Sequence, residues 1–232
     1  MLWYLCTMNI KNYIPSSITA VNLASGFVAI LLNDPLISPI IILVGSIFDV
    51  FDGAVARKLN ATSAFGAELD SLADVITFGV APAYLYYHHV LYASPVMISI
   101  IATTTLAIFG ALRLAKFNID TETKSNFKGM PIPSVGLFFS FLVYEKYANT
   151  IFNYSQHQYI WISLPFIFAF LMVSPFNFIA NKKVKNKKIQ LIQTIVMIIM
   201  LVALVLWVVT QMPFMPLAIV LYIIISLLFL RN

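Results

Sequence analysis

The chain has 232 residues, of which 61% are hydrophobic and 10% charged, and its formal net charge is +5. Soluble domains carry about 25% charged residues, so this composition, with a mean hydropathy of +0.92, excludes an ordinary soluble protein. In the core of a bilayer only helices and closed barrels satisfy the backbone, and the apolar runs here do not alternate with polar residues, which favours helices.

Eight apolar segments are long enough to be predicted as transmembrane helices. In chain order they are Ser16–Leu32, Leu36–Asn60, Glu68–Tyr92, Pro95–Phe117, Ile132–Ile151, Tyr159–Ile179, Ile189–Gln211 and Phe214–Leu230. Turn residues such as Asn33-Asp34-Pro35 separate them. The predicted fold class is therefore an all-α integral membrane protein with about eight transmembrane helices.

Lysine and arginine predict the orientation, because the cytoplasmic loops of membrane proteins are enriched in both. With the N-terminus in the cytoplasm, thirteen of the fourteen basic residues fall on the cytoplasmic side, and only Lys146 falls outside. We therefore expect a multi-pass protein of the cytoplasmic membrane with both termini in the cytoplasm. The same placement accounts for the net charge, so we expect no nucleic-acid partner. The lysines at 182–188 are first an orientation signal, and a second hypothesis is that they hold anionic headgroups.

Four aspartates cluster in the second and third predicted spans. Asp49 and Asp52 are three residues apart and Asp70 and Asp74 are four apart, so each pair lies on one face of a helix. Carboxylates in a membrane span are costly without a partner, and divalent cations would remove their mutual repulsion. Oxygen ligands without nearby Cys or His favour Mg²⁺, Mn²⁺ or Ca²⁺ over zinc. The pairs therefore predict a site for two metal ions, which can together stabilise a phosphoryl displacement.

The aspartates belong to a longer pattern, D-x2-D-G-x2-A-R-x8-G-x3-D-x3-D, which is matched from Asp49 to Asp74 at every fixed position. Its other fixed positions leave room for a ligand or offer it a donor: Gly53, Ala56, Arg57 and Gly66. This pattern resembles the signature of the CDP-alcohol phosphotransferase family. The alternative, carboxylates at helix ends that match by accident, is disfavoured by the number of matched positions.

The resemblance implies a fold, a reaction and residue roles. The family fold is a core of six transmembrane helices, usually dimeric and open to the cytoplasm, so residues 1–180 would form this core and residues 181–232 a basic loop and two C-terminal spans. By position, Asp49, Asp52 and Asp70 would ligate the metals, and Asp74 would ligate a metal and act as the general base. The residues implied at the CDP pocket are Asp52, Gly53, Ala56, Arg57, Gly66 and Asp70.

Three further segments, Ile14–Gly26, Ala111–Asn118 and Phe127–Pro133, resemble the branch of the family that uses serine as acceptor. Together with the motif they imply transfer of a phosphatidyl group from CDP-diacylglycerol to L-serine within the membrane lipid, giving phosphatidylserine and CMP. Thr19 and Asn22 lie three apart on the first span and are candidates for cytidine binding. The alternative for both is packing between helices, for which small polar residues are common in membranes.

An acceptor with a carboxylate needs donors, and the candidates are Arg113, Asn118 and Lys128. The alternative for Arg113 is that it anchors its span at the interface by snorkelling. Acceptors that carry a phosphate, such as glycerol-3-phosphate or an inositol phosphate, remain open with the same chemistry.

Two other classes of protein also place carboxylates in a membrane. An ion-coupled transporter is expected to show internal repeats or broken helices in both halves, and the C-terminal half contains no second copy of the acidic motif. A catalytically inactive scaffold is disfavoured because no position of the motif is lost.

Overall fold

The computed structural model describes residues 10–119, 128–148, 157–179, 187–210 and 212–229, and this part of the chain is almost entirely helical. Its elements in chain order are α1 (Ile10–Leu32), α2 (Ile37–Lys58), α3 (Ala64–Asp74), a π-helical segment (Val75–Val80), α4 (Ala81–His89), α5 (Val96–Ile119), α6 (Ile132–Ala148), α7 (Gln158–Val173), α8 (Lys187–Thr210) and α9 (Phe214–Phe229). Because α3, the π-helical segment and α4 follow one another without a break, they form one continuous rod, the third rod of the bundle after α1 and α2. The predicted all-α fold is confirmed.

Several helices are long and apolar enough to cross a bilayer. In the described part of the chain these are Tyr13–Leu32, Ile37–Lys58, Val96–Ile119 and Ile189–Thr210, and α7 and α9 are shorter apolar helices. Large apolar side chains cover their outer faces, with Leu201 64% and Val209 74% exposed on α8. An outer surface of this kind suits lipid rather than water. The chain is a membrane protein.

The central helix of the bundle is α6, in which every side chain from Val135 to Glu145 is buried. Phe138 stacks on Phe168 of α7 with the ring centroids 4.4 Å apart. Phe141 meets Trp207 of α8 edge-on at 4.9 Å. Aromatic pairs with this geometry add to the energy of burial, so α6 holds the C-terminal helices to the rest of the bundle.

The π-helical segment begins directly after Asp74 and is held by close contacts with its neighbours. A Cβ atom added to Gly26 of α1 would lie 2.6 Å from the Cα of Thr77, and one added to Gly136 of α6 would also lie 2.6 Å from a Cα of this segment. The Thr77 hydroxyl donates a hydrogen bond to the Asn22 carbonyl at 2.8 Å. Glycine at both contacts lets the helices approach closely, and π-helical turns are frequent at functional sites.

Three helices begin two residues or more before their predicted starts. α1 begins at Ile10 rather than Ser16, the third rod begins at Ala64 rather than Glu68, and α8 begins at Lys187 rather than Ile189. The second difference has a local cause, because the Ser63 side chain accepts a hydrogen bond from the Gly66 N–H at 3.0 Å and so caps α3.

The predicted end of the sixth span is wrong. α7 ends at Val173 instead of Ile179, since Ser174 precedes a proline and is extended, with ψ at 154°. The residues that follow leave the helix and form an antiparallel bridge between Asn177 and Lys128. This non-helical segment lies beside a residue predicted to bind the acceptor.

Lys146, the basic residue predicted on the outer side, lies at the end of α6 and donates a hydrogen bond to the carbonyl of His89, the last residue of α4. It is therefore at the opposite end of the bundle from the aspartates on α3. The lysines 182, 183 and 185, on which the orientation also depends, lie outside the described residues, so the orientation stays a prediction.

Candidate active site

Two neighbouring helices carry the four aspartates. α2 presents Asp49 and Asp52, and α3 presents Asp70 and Asp74. One carboxylate oxygen from each of Asp49, Asp70 and Asp74 lies within 4.8 Å of the others. Asp74 is only 8% exposed and Asp52 only 5%. Helical spacing of three and four residues puts each pair on one face, and the fold brings three of the four carboxylates together.

Helix α1 supplies a polar partner to each pair. The Thr19 hydroxyl donates to Asp52 Oδ2 at 2.6 Å, and Asn22 Nδ2 lies 3.5 Å from Asp74 Oδ1. Asp52 accepts this hydrogen bond from Thr19 and is not one of the three aspartates whose oxygens lie within 4.8 Å of one another. Thr19 and Asn22 are both buried, so α1 orients carboxylates on both of the helices that carry them.

A cavity of about 220 Å³ opens beside these carboxylates, between α1, α2, α3 and the loop joining α2 to α3. Seven of the eight residues predicted for CDP binding line it: Thr19, Asp52, Gly53, Ala56, Arg57, Gly66 and Asp70. The eighth, Asn22, lies outside this lining, against Asp74. Because Asp70 belongs both to the lining and to the close group of three, the cavity adjoins the aspartate cluster.

Arg57 lines the cavity with an exposed guanidinium. A Cβ atom added to Gly53 would lie 3.4 Å from Arg57 Nη1, so a larger side chain at this position would crowd the guanidinium. Arg57 is therefore free to offer a forked donor to an anion in the cavity, for which a phosphate is well matched.

The donor set of the cluster fits divalent metal ions. Asp70 Oδ1 and Asn22 Oδ1 are buried and have no hydrogen-bond partner among the described residues. Leaving a buried acceptor unpaired costs about 1–3 kcal/mol, and a cation satisfies such oxygens. A set of carboxylate and amide oxygens without His or Cys suits hard ions such as Mg²⁺, Mn²⁺ or Ca²⁺ rather than zinc.

The residues predicted to bind the acceptor are distributed around the end of α5. Arg113 is buried, its Nε has no hydrogen-bond partner in the described part of the chain, and its charge interacts with Asp74. Such burial argues against snorkelling to the interface. Asn118 Nδ2 donates to the Ser71 hydroxyl of α3 at 3.0 Å. Lys128 is exposed, and no hydrogen bond or ion pair joins its side chain to the aspartates in the described residues.

Six further residues line the cavity and were not predicted: Pro15, Ser16, Ala61, Thr62, Ser63 and Ala67. The chain between the two acidic helices was predicted only as a turn. A usable signal was the serine three residues before Gly66, because Ser63 at that spacing marks a helix start. Backbone N–H groups at such a start favour anions.

Comparison with known proteins agrees with this site. Residues 12–169 match the CDP-alcohol phosphatidyltransferase family, and the chain belongs to it. The match contains all four aspartates and the whole lining of the cavity. The family is one of membrane transferases, as the motif indicated.

Individual relatives share this part of the chain. A CDP-diacylglycerol–serine O-phosphatidyltransferase of Bacillus subtilis is 49% identical over 129 residues, which cover 54% of this chain and 72% of the relative. The enzyme of the same name from Methanocaldococcus jannaschii is 39% identical over 162 residues, covering 59% of this chain and 76% of the relative. An archaetidylserine synthase of Methanothermobacter thermautotrophicus is 39% identical over 125 residues, which cover 52% of this chain and 53% of the relative.

Proposed function

We propose that this chain transfers the phosphatidyl group of CDP-diacylglycerol to L-serine, giving phosphatidylserine and CMP. The observation that carries the proposal is the buried side chain of Arg113, whose Nε has no hydrogen-bond partner among the described residues and whose charge interacts with Asp74 of the aspartate cluster. Such a group needs an anion, and the carboxylate of serine supplies one. The names of the Bacillus and Methanocaldococcus relatives support the same acceptor.

The cavity is proposed to receive the CDP moiety. Arg57 would bind a phosphate oxygen of the pyrophosphate, while Gly53, Ala56 and Gly66 would keep the walls low enough for the nucleotide. Thr19 would hold Asp52 in place through its hydrogen bond of 2.6 Å. Asn22 would orient Asp74 rather than contact the cytidine, since it lies outside the lining of the cavity.

Asp49, Asp52, Asp70 and Asp74 are proposed to hold two divalent ions, Mg²⁺ or Mn²⁺, with Ca²⁺ as a third candidate. When bound, the ions would neutralise the pyrophosphate and the charge that develops on the departing CMP. The buried Oδ1 of Asp70, which has no hydrogen-bond partner among the described residues, supports this assignment because a metal ion would satisfy it.

Asp74 is proposed to be the general base. Its carboxylate would take the proton of the serine hydroxyl as the serine oxygen bonds to the phosphatidyl phosphorus. The bond between that phosphorus and the bridging oxygen of the pyrophosphate would break, and the oxygen would leave with CMP. The low exposure of Asp74 keeps its carboxylate away from bulk solvent.

Arg113 would bind the serine carboxylate, and Asn118 and Lys128 would complete the acceptor site. Glycerol-3-phosphate or an inositol phosphate would call for several basic side chains around its phosphate. Among the described residues Arg113 is the one buried basic side chain, so serine is the better match.

The setting of the reaction follows from the charge pattern and the family. The chain is proposed to lie in the cytoplasmic membrane with both termini and the site facing the cytoplasm. A homodimer is proposed from the family resemblance. Residues 1–180 would form the catalytic core, with the basic loop and two C-terminal spans in residues 181–232.

A panel of radiolabelled acceptors tests the proposal. The purified protein is incubated with CDP-diacylglycerol, Mn²⁺ and serine, glycerol-3-phosphate or inositol phosphate, and lipid product and CMP are measured together. We expect labelled lipid with serine alone, with one CMP released for each lipid formed. Lipid product with glycerol-3-phosphate and none with serine would overturn the acceptor assignment while keeping the reaction class.

A matched pair of variants tests the role of Arg113. Arg113→Gln is expected to raise the Michaelis constant for serine by at least about 30-fold, because the charge-assisted hydrogen bonds to a carboxylate are lost. Lys116→Gln removes an exposed positive charge three residues further along the same helix and serves as the control. Equal effects of the two variants would show that the carboxylate is bound elsewhere.

A further inference from the structure

The last helix, α9, holds one point of the extended chain that follows α7. The Tyr222 hydroxyl donates to the Ile179 carbonyl at 3.1 Å, and the Ile179 N–H donates to Ser226 Oγ at 3.4 Å. Tyr222 is only 6% exposed and Ser226 is fully buried. Both polar backbone groups of Ile179 are thus bonded to side chains of α9 rather than to a helix or sheet of their own.

The same extended chain also fixes the position of the backbone around Lys128. The Gly129 N–H donates to the Phe176 carbonyl at 2.9 Å, and the Met130 N–H donates to the Leu171 carbonyl at 3.0 Å. Gly129 has φ at +82°, and a Cβ atom on it would lie 2.0 Å from the Met172 carbonyl oxygen, so only glycine fits. The position of Lys128 therefore depends on the chain that α9 holds.

Arg113 of α5 has electrostatic partners on two other elements. The charge of its guanidinium interacts with Asp74 of α3 and with Tyr222 of α9. Arg113 is 8% exposed and its Nε has no hydrogen-bond partner among the described residues. A buried phenol beside a buried guanidinium contributes a dipole in a medium of low dielectric constant, where its effect on the orientation of the charged group is large.

We propose that Tyr222 of α9 is a positioning residue for the acceptor. Its hydroxyl, fixed by the hydrogen bond to the Ile179 carbonyl, would restrict Arg113 to the orientation that receives the carboxylate of an α-amino acid. This inference rests on the proposed function. It also assigns a role to a span that lies beyond residue 169, where the family match ends.

Tyr222→Phe tests the proposal, because it keeps the ring and removes the hydroxyl. The Michaelis constant for serine is expected to rise about 5- to 20-fold, with kcat within threefold and the Michaelis constant for CDP-diacylglycerol unchanged. Tyr86→Phe is the matched control. Tyr86 is also a buried tyrosine whose hydroxyl donates to a backbone carbonyl, that of Trp161 at 2.9 Å, but it lies on α4, in the half of the third rod beyond Asp74. A serine constant that changes equally in the two variants would overturn the proposal.

The double variant Arg113→Gln, Tyr222→Phe separates positioning from general loosening of the fold. If Tyr222 acts through Arg113, the double variant has the same Michaelis constant for serine as Arg113→Gln alone. Independent multiplication of the two effects would overturn the proposal. If Tyr222→Phe does not fold, Ser226→Ala replaces it, with an expected rise of about threefold, and an unchanged constant would count against α9.

The acceptor that the wild-type protein uses distinguishes a failure of this inference from a failure of the proposed function. Formation of phosphatidylserine by wild type supports the proposed function whatever the Tyr222 variant does. If wild type instead uses a different acceptor, the serine assignment fails, and Tyr222 is then tested by the Michaelis constant of the acceptor that is used. An unchanged constant for that acceptor would overturn the positioning role as well.

Discussion

The two ends of the third rod present polar side chains in opposite ways. At the end of α4, His89 Nε2 lies 3.0 Å from Asn33 Oδ1, and its Nδ1 lies 3.4 Å from the Tyr147 hydroxyl. Lys146 donates to the His89 carbonyl and lies 4.6 Å from the centre of the Tyr92 ring. The side chains of His89 and Lys146 at this end thus bond to neighbouring polar groups and face aromatic rings.

At the α3 end, several buried polar atoms have no such partner. Asp70 Oδ1, Asn22 Oδ1 and Arg113 Nε make no hydrogen bond within the described residues, and Asp70 also lines the cavity. Native proteins rarely leave buried polar atoms unpaired without a reason. The difference teaches that His89 and Lys146 hold helices together, while the carboxylates at the α3 end adjoin a cavity that can receive molecules from outside the chain.

The largest expected effect comes from the cluster itself. Asp70→Asn should lower the rate of CMP release at least about 1,000-fold at saturating metal, because the ligand charge next to the cavity is lost. Glu68→Gln, an exposed neighbour on α3, is the control and should stay within twofold. CMP release that survives in Asp70→Asn would contradict the metal site.

A smaller loss is expected from the partner that α1 supplies. Thr19→Val removes the hydrogen bond to Asp52, and a bond to a charged group contributes about 1.5–3 kcal/mol. The value of kcat/KM for CDP-diacylglycerol should therefore fall about 10- to 100-fold. Ser17→Ala, which removes an exposed hydroxyl from the same helix, should leave it unchanged. Equal values of kcat/KM for the two variants would show that Thr19 does not contribute to the site.

The contacts around the π-helical segment are expected to affect stability. Gly136→Ala would place a methyl group 2.6 Å from the Cα of Phe78 and should destabilise the fold by about 1–3 kcal/mol. Gly79→Ala is the control, since its nearest contact would be an ordinary 3.6 Å. Chemical unfolding in detergent measures both, and the reverse order of stability would contradict the packing described for α6.

The smallest effect on activity is expected at the opposite end. His89→Gln should leave kcat/KM within twofold and lower the free energy of unfolding by about 1 kcal/mol, because neutral hydrogen bonds of this kind contribute about that much. His88→Gln, an exposed neighbour, should change neither. A tenfold loss of activity in His89→Gln would show that the contrast between the two ends is not one of function.

Much of the site could be predicted from the sequence because it depends on helical spacing. Residues three or four apart share a face, so the two carboxylate pairs and most of the cavity lining follow from the motif. The apolar lengths predicted the spans in the same way. These features are local, and a sequence records local spacing directly.

The remaining features depend on contacts between distant parts of the chain. The π-helical segment has no local signature, since its position is determined where Gly26 and Gly136 approach it. The extended chain after α7 is stabilised by Tyr222 and by the segment around Gly129. Tyr222 lies more than a hundred residues from Arg113, so spacing in the sequence could not predict that the two interact electrostatically.

Anomalous scattering from crystals grown with Mn²⁺ and a CDP-lipid tests the central claim most directly. We predict two Mn²⁺ peaks among Asp49, Asp52, Asp70 and Asp74, with the CDP moiety in the cavity beside Arg57. Mn²⁺ bound away from these aspartates, or CDP bound outside the cavity, would contradict the account.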